Sequence, residues 1–166
     1  MTVADVRVAV PATPGVEAGM VTLQETEVPN RQLDIIIGQP EARAIMAAWS
    51  GVVAARPSTW DLLVSTIGIL DGRLERAVIT AADSEGHFFA VIELERDGAR
   101  SSLAARPSDA LSLALRAPGS EIYVHEDVLA TLGTDGEEPA HGSLDPLGNG
   151  PAGSGGPAST GLAGQE

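Results

Sequence analysis

Residues 74–110 read LERAVITAADSEGHFFAVIELERDGARSSLAARPSDA. Arg76, Val78 and Thr80 alternate with Ala77, Ile79 and Ala81, the two-residue period of a strand with one face toward a core. Asp83-Ser84-Glu85-Gly86 then supplies a turn, residues 87–95 a second strand, Arg96-Asp97-Gly98 another turn and residues 99–105 a third strand. This meander runs directly into Arg106-Pro107-Ser108-Asp109 and an apolar segment. Three strands in succession rule out strict βαβ alternation and predict an α+β domain with much antiparallel pairing.

The flanks agree. Upstream, residues 5–10, 20–26 and 32–37 read as short strands separated by breaks at Pro11 to Gly15 and at Pro29-Asn30. Gly38-Gln39-Pro40-Glu41 opens a helix with Ala42, Ile45, Met46 and Trp49 on one face, and Gly51 ends it. Leu62, Leu63, Thr66, Ile67 and Leu70 mark a second helix, stopped at Asp71-Gly72. Residues 110–116 form a third helix, cut off by Pro118-Gly119; a strand at 122–124 and a last helical turn through Val128, Leu129 and Leu132 follow. The expectation is one α+β domain over residues 1–133, with a largely antiparallel or mixed sheet and three to four short helices. Residues 134–166 are rich in Gly, Pro and Ser, with Leu144, Leu147 and Leu162 as their only large aliphatics. Such a tail buries too little apolar surface to offset chain ordering and is expected to be disordered.

The 166 residues carry a formal charge of −13. Five acids and no base follow Gly133, leaving 18 acids against ten bases before it, or −8. Every base is arginine. This balance argues against a protein that coats nucleic acid and confines any such contact to a small arginine cluster. No apolar run is long enough to span a bilayer, and the N-terminal order is not that of a signal peptide, so a cytoplasmic protein without membrane contact is expected. Without cysteine there is no thiol chemistry. No Walker A sequence, dinucleotide glycine fingerprint, G-x-S-x-G elbow or H-x-x-x-H pair occurs.

Ala-Arg-Pro-Ser occurs twice, at 55–58 and 105–108, with Asp61 and Asp109 close behind. Proline keeps the preceding residue extended and suits a helix start, and serine is a favoured N-cap. Each copy thus delivers an arginine to a helix N-terminus, where N–H groups, the dipole and a guanidinium together favour an anion such as phosphate. Arg106, Arg56 and Ser108 are the candidate phosphate ligands, and Asp109 and Asp61 the candidate catalytic carboxylates, with Glu41 as an additional one. Such carboxylates could hold hydrated Mg²⁺ against a phosphodiester if the copies meet in space. Each has a plainer account: arginine paired to a nearby acid, Asp109 favouring the dipole of a helix capped by Ser108, Ser58-x-x-Asp61 as a capping box, Glu41 in a first helical turn. His87, after a turn glycine, reads as an exposed edge histidine, and His125 as a cap for the last helix; Trp49 and Trp60 read as core or interface anchors or as base-stacking platforms.

Ile37-Gly38 with Glu41-Ala42 and Ala44-Ile45, then Arg56-Pro57-x-Thr59-x-Asp61-Leu62, Gly86-x-Phe88-x-Ala90, Arg106-Pro107-Ser108-Asp109-Ala110 with Leu113-Ala114, and Ile122-Tyr123-Val124 together resemble the bifunctional nuclease domain, formerly a domain of unknown function. The resemblance covers residues 8–133. It implies a cytoplasmic bacterial α+β domain, homo-oligomeric, with members that cleave RNA and DNA. Two residues depart from the family pattern: Trp60, where a histidine is common, and Phe89, where a tyrosine is usual. If that histidine is the family's general base, it is missing here. Two readings follow, a phosphodiester hydrolase or a non-catalytic oligomeric binding and regulatory module for an anionic ligand or partner protein.

Overall fold

The computed structural model describes residues 3–9, 18–27, 29–52 and 55–136. In chain order the elements are β1 (Val3–Ala9), β2 (Ala18–Glu25), β3 (Arg31–Gly38), α1 (Gln39–Trp49), α2 (Thr59–Ile69), β4 (Gly72–Ala82), β5 (Phe88–Arg96), β6 (Ala99–Ala105), α3 (Pro107–Ala114), β7 (Glu121–Val124), α4 (Glu126–Leu132) and β8 (Thr134–Asp135). They form two four-stranded sheets, ordered β1-β2-β3-β8 and β6-β5-β4-β7. Helix α1 packs on the first sheet and α3 on the second, and the two helices touch. This is the expected α+β domain.

The meander forms as read, with β5 antiparallel to both β4 and β6. Asp97 and Gly98, at φ 53° and 77°, make the two-residue turn between β5 and β6, where two successive left-handed residues match the strand twist. Alternation along β4 holds only in part. Leu74, Ala77 and Ile79 are buried while Ala81 is exposed. The β4–β5 register shifts between Leu74 and Arg76 and again between Ile79 and Ala81, and each shift re-aims the side chains that follow. β7 joins β4 in parallel, pairing Arg76 with Glu121 and Ile79 with Val124. A parallel partner requires a crossover, and the chain returns through α3.

Inward residues of both sheets and of three helices make one apolar cluster, including Leu23, Leu33 and Ile35 from the first sheet, Ile79, Ile92 and Val124 from the second, and Ile45, Leu111 and Leu129 from α1, α3 and α4. Burying each large aliphatic contributes roughly 1.5–3 kcal/mol. The most enclosed helix is α3, with Ser108, Ala110, Leu111, Ser112, Leu113 and Ala114 all buried. Trp49 is not a core anchor: only Ala42 and Ile45 of its helix face are buried, and the indole, in the last turn, is 56% exposed. Nor does α2 bury any residue fully, although it carries Leu62, Leu63, Val64, Ile67 and Ile69.

β8 pairs with β3, Arg31 opposite Asp135 and Gln32 opposite Thr134, so paired backbone reaches two residues past the boundary at 133. Composition does not register so short a strand, which contributes mainly ladder hydrogen bonds. Residues 137–166, with His141, and the Pro11 to Gly15 break lie outside the described residues. Among those described, no helix is long and apolar enough to cross a membrane.

One ion cluster ties the first sheet to α4. Arg31 donates from Nε and Nη2 to the buried Glu25 carboxylate at 2.9 and 2.8 Å, and from Nη1 to Glu126 at 2.8 Å. The Arg31 side-chain bonds hold the Glu25 carboxyl below its usual range against the opposing effect of burial, and Glu126 is lowered too, again chiefly by Arg31. Carboxyls depressed on folding stabilise above their ordinary values, and that contribution is lost as pH falls through the depressed ones. Arg31→Met should therefore melt below the parent by the widest margin at neutral pH, with the gap closing in acid; thermal unfolding followed by circular dichroism across pH measures it.

Candidate functional site

The twin Arg-Pro-Ser segments enter their helices differently. Ser58 is the N-cap of α2, and the capping box is complete: Asp61 N–H donates to Ser58 Oγ at 3.3 Å while Ser58 N–H donates to Asp61 Oδ2 at 2.7 Å. Ser108 does not cap α3. The N-cap there is Arg106, Pro107 is the first helical residue, and Ser108 is buried inside the helix. The reason is the spacing of the acid. Asp61 stands three residues after its serine and Asp109 one after, yet each is the third residue of its helix. In α3 the carboxylate reaches back to the side chain of its N-cap residue, with Arg106 Nε donating to Oδ2 at 2.8 Å and Nη2 to Oδ1 at 3.2 Å.

Arg106 opens onto a cleft of about 250 Å³ lined by the starts of α1 and α3, the end of β3 and the turn before β5. Neither α1 nor α3 has a side-chain cap, so two helix N-termini face one space. Glu41 lies there too, its Oε1 3.7 Å from Arg106 Nη1. A Cβ at Gly38 would meet the Glu41 carboxylate, the far end of a flexible side chain, and displace it from this position. Arg106 is 67% exposed, and its bonds to Asp109 hold the guanidinium still more firmly protonated. Guanidinium donors and helix N-termini converging on one space suit a phosphate group.

A second cleft, of about 580 Å³, lies between α1 and the start of α2. Arg116, only 12% exposed, organises it. Its Nε donates to Asp61 Oδ1 at 3.0 Å, Nη1 to the Ser112 carbonyl at 2.9 Å and Nη2 to the Ala44 carbonyl at 3.0 Å, and its guanidinium lies 5.5 Å from the Trp60 ring centroid. Trp60 Nε1 in turn donates to Asp109 Oδ1 at 3.4 Å. The Asp61 carboxyl is held below its usual range, first by the Ser58 hydroxyl and backbone N–H, then by Arg116.

The candidates therefore separate. Arg106, Ser108 and Glu41 line the smaller cleft, and Asp109 anchors Arg106 at its rim. Asp61 is turned away into the larger cleft with both oxygens engaged. Arg56 is exposed and lines neither. Both Asp109 oxygens accept from Arg106, and among the described residues no three acidic or histidine side chains group as a metal site. This donor set does not fit a Mg²⁺ cage built by the protein alone. His125 holds the N-cap position of α4 but makes no side-chain cap bond.

Two residues were not legible as site components. Arg116 reads in the sequence only as the end of an apolar helix. His87 is exposed, as expected, yet it also lines the Arg106 cleft, and its Nδ1 lies 3.0 Å from Asp83 Oδ2. Asp83 Oδ1 accepts from the backbone N–H of His87 and of Glu85, each at 2.9 Å, and the first of these bonds is the main reason its carboxyl is lowered. The four-residue spacing across a turn was the available clue.

Removing Arg116 leaves two carbonyls and a carboxylate oxygen without their donor. Arg116→Ala should cost about 2–4 kcal/mol in chemical denaturation, and Ser58→Ala about 1 kcal/mol through the lost cap.

Residues 21–137 match the bifunctional nuclease domain family. Two uncharacterized proteins of Mycobacterium tuberculosis, MT1877 from strain CDC 1551 / Oshkosh and Rv1829 from strain ATCC 25618 / H37Rv, are each 41% identical to this chain over 104 residues. That alignment takes in 63% of this chain and 60% of each relative, so the chain spans about three fifths of the curated relatives it matches. The matched span holds both clefts, every helix and both Arg-Pro-Ser segments. With 117 of 166 residues inside it, the chain belongs to the bifunctional nuclease domain family.

Proposed function

We propose that this protein cleaves phosphodiester bonds of nucleic acid in the cleft between the starts of α1 and α3. The carrying observation is that an exposed Arg106, two helix ends without side-chain caps and the Glu41 carboxylate open on the same space. Arg106 and the helix ends bind the phosphate and stabilise charge that grows on its oxygens in the transition state. Asp109 holds the guanidinium in place, and Glu41 stands where a proton can be taken from an attacking oxygen. Asp61 supports this through Arg116 rather than at the reacting atoms. Family membership supports the reading, and the overall acidity restricts contact to this local site.

Purified protein should cut single-stranded RNA or DNA in gel assays with Mg²⁺ or EDTA present. Arg106→Ala should lower kcat/KM by about 10²-fold or more and Glu41→Gln by a similar factor, while Arg56→Ala changes little. Absence of cleavage by the parent, or equal cleavage by Arg106→Ala, defeats the nuclease reading. The engagement of the Asp61 and Asp109 carboxylates by protein donors favours a second reading, a binding module for anionic ligands. Arg106-dependent RNA binding without cleavage would establish that one.

The protein also self-associates in this reading, through α2 and the end of α1. Leu62, Leu63, Ile69 and Leu70 are exposed along α2, and Met46, Trp49 and Val52 along the neighbouring segment, an apolar surface of the kind that marks interfaces. Light scattering should find more than one copy per particle, and Leu62→Glu with Ile69→Glu should reduce it to a monomer with its circular dichroism spectrum intact.

A further inference from the structure

We infer that the cleft cuts RNA through the RNA's own 2′-hydroxyl, with Glu41 as general base, His87 as general acid and Arg106 on the phosphate. This rests on the reading of the cleft as a phosphodiester-cleaving site and gives it a substrate class and a chemistry. Three side chains of complementary type reach one cleft from three separate segments: a carboxylate from the first turn of α1, an imidazole from the turn before β5 and a guanidinium from the start of α3. Internal attack by a ribose hydroxyl needs one group to take a proton, one to give a proton and a cation for the phosphate oxygens. Those are the three groups present. It also needs no protein-held metal, in keeping with a cleft in which no three acidic or histidine side chains group among the described residues.

His87 is arranged for the part. Nδ1 faces Asp83 Oδ2 at 3.0 Å, and Asp83 is fixed by two backbone N–H bonds to its other oxygen. A carboxylate on Nδ1 keeps a proton there and leaves Nε2 as the nitrogen that exchanges one with the substrate. Asp83 is thus a positioning residue. The other charged groups facing His87 are Glu85, 3.7 Å from Nδ1 on the same turn, and Glu41 and Arg106 across the cleft. Glu41 takes the 2′-hydroxyl proton, the 2′-oxygen bonds to phosphorus, the bond from phosphorus to the 5′-oxygen breaks, and His87 protonates that oxygen. The products are a 2′,3′-cyclic phosphate and a 5′-hydroxyl; no oxidant or second substrate is consumed.

The test uses the full chain, a short oligoribonucleotide and its 2′-O-methyl counterpart, in EDTA, with products identified by mass spectrometry. The unmodified RNA should yield cyclic phosphate ends and the 2′-O-methyl RNA none. His87→Ala should lower kcat by about 10²–10⁴-fold with KM little changed and remove the basic limb of the pH–rate profile, while His125→Ala changes neither. Asp83→Asn should lower kcat with KM little changed, a split that a purely structural role would not produce. Melting curves of both His87 and Asp83 variants should match the parent. Cleavage of RNA and DNA alike, only with Mg²⁺ and at the parental rate in His87→Ala, overturns this inference and leaves the nuclease reading standing. No cleavage of any substrate overturns both.

Discussion

Helix α3 has Ser108 and Ala110 to Ala114 buried, and two residues past its end Arg116 keeps only 12% of its side chain exposed. Arg116 is therefore the charge the fold must satisfy. It does so by spending its donors on three helices: the Ala44 carbonyl of α1, the Ser112 carbonyl of α3 itself and the Asp61 carboxylate at the start of α2. The Trp60 ring covers the guanidinium face. A buried charge with every partner in place is tolerable, and one with a partner missing is costly. The relative placement of the three helices is thereby constrained, and so is the cleft that opens where α1 and α3 begin.

The two Arg-Pro-Ser segments divide two tasks. In the first, serine caps its helix and aspartate closes the box while reaching Arg116, so the polar groups are absorbed into the scaffold. In the second, the helix begins two residues earlier relative to the serine, the arginine becomes the N-cap residue, and its guanidinium is left two-thirds exposed beside the cleft. Trp60, at the position where family members commonly carry histidine, links the segments through its bond to Asp109. In the proposed reading a strongly acidic chain meets a polyanion locally: one arginine and two helix N-termini act at close range, while distant surface acids are screened over about 8–10 Å at physiological salt.

The order of strands and helices was legible because it rests on local chemistry. The Asp97-Gly98 turn, Pro40 and Pro107 in first helical turns and the Ser58-x-x-Asp61 box each act within a few residues, and the structure contains all of them, while the alternation from Arg76 holds as far as Ile79. Glu41, Arg106 and Asp109 were nameable for the same reason, as residues that belong at helix starts. Three things depend on contacts between distant segments and left no local trace: the parallel pairing of β7 with β4, the exposure of Trp49 at the end of an apolar stripe, and the gathering of Glu41, His87 and Arg106 around one space. The sequence by itself determined which residues start, stop and cap each element, since those energies are short-ranged. Only the tertiary structure decided which helix starts share a cleft, because that follows from how α3, and the Arg116 that follows it, pack against α1 and α2.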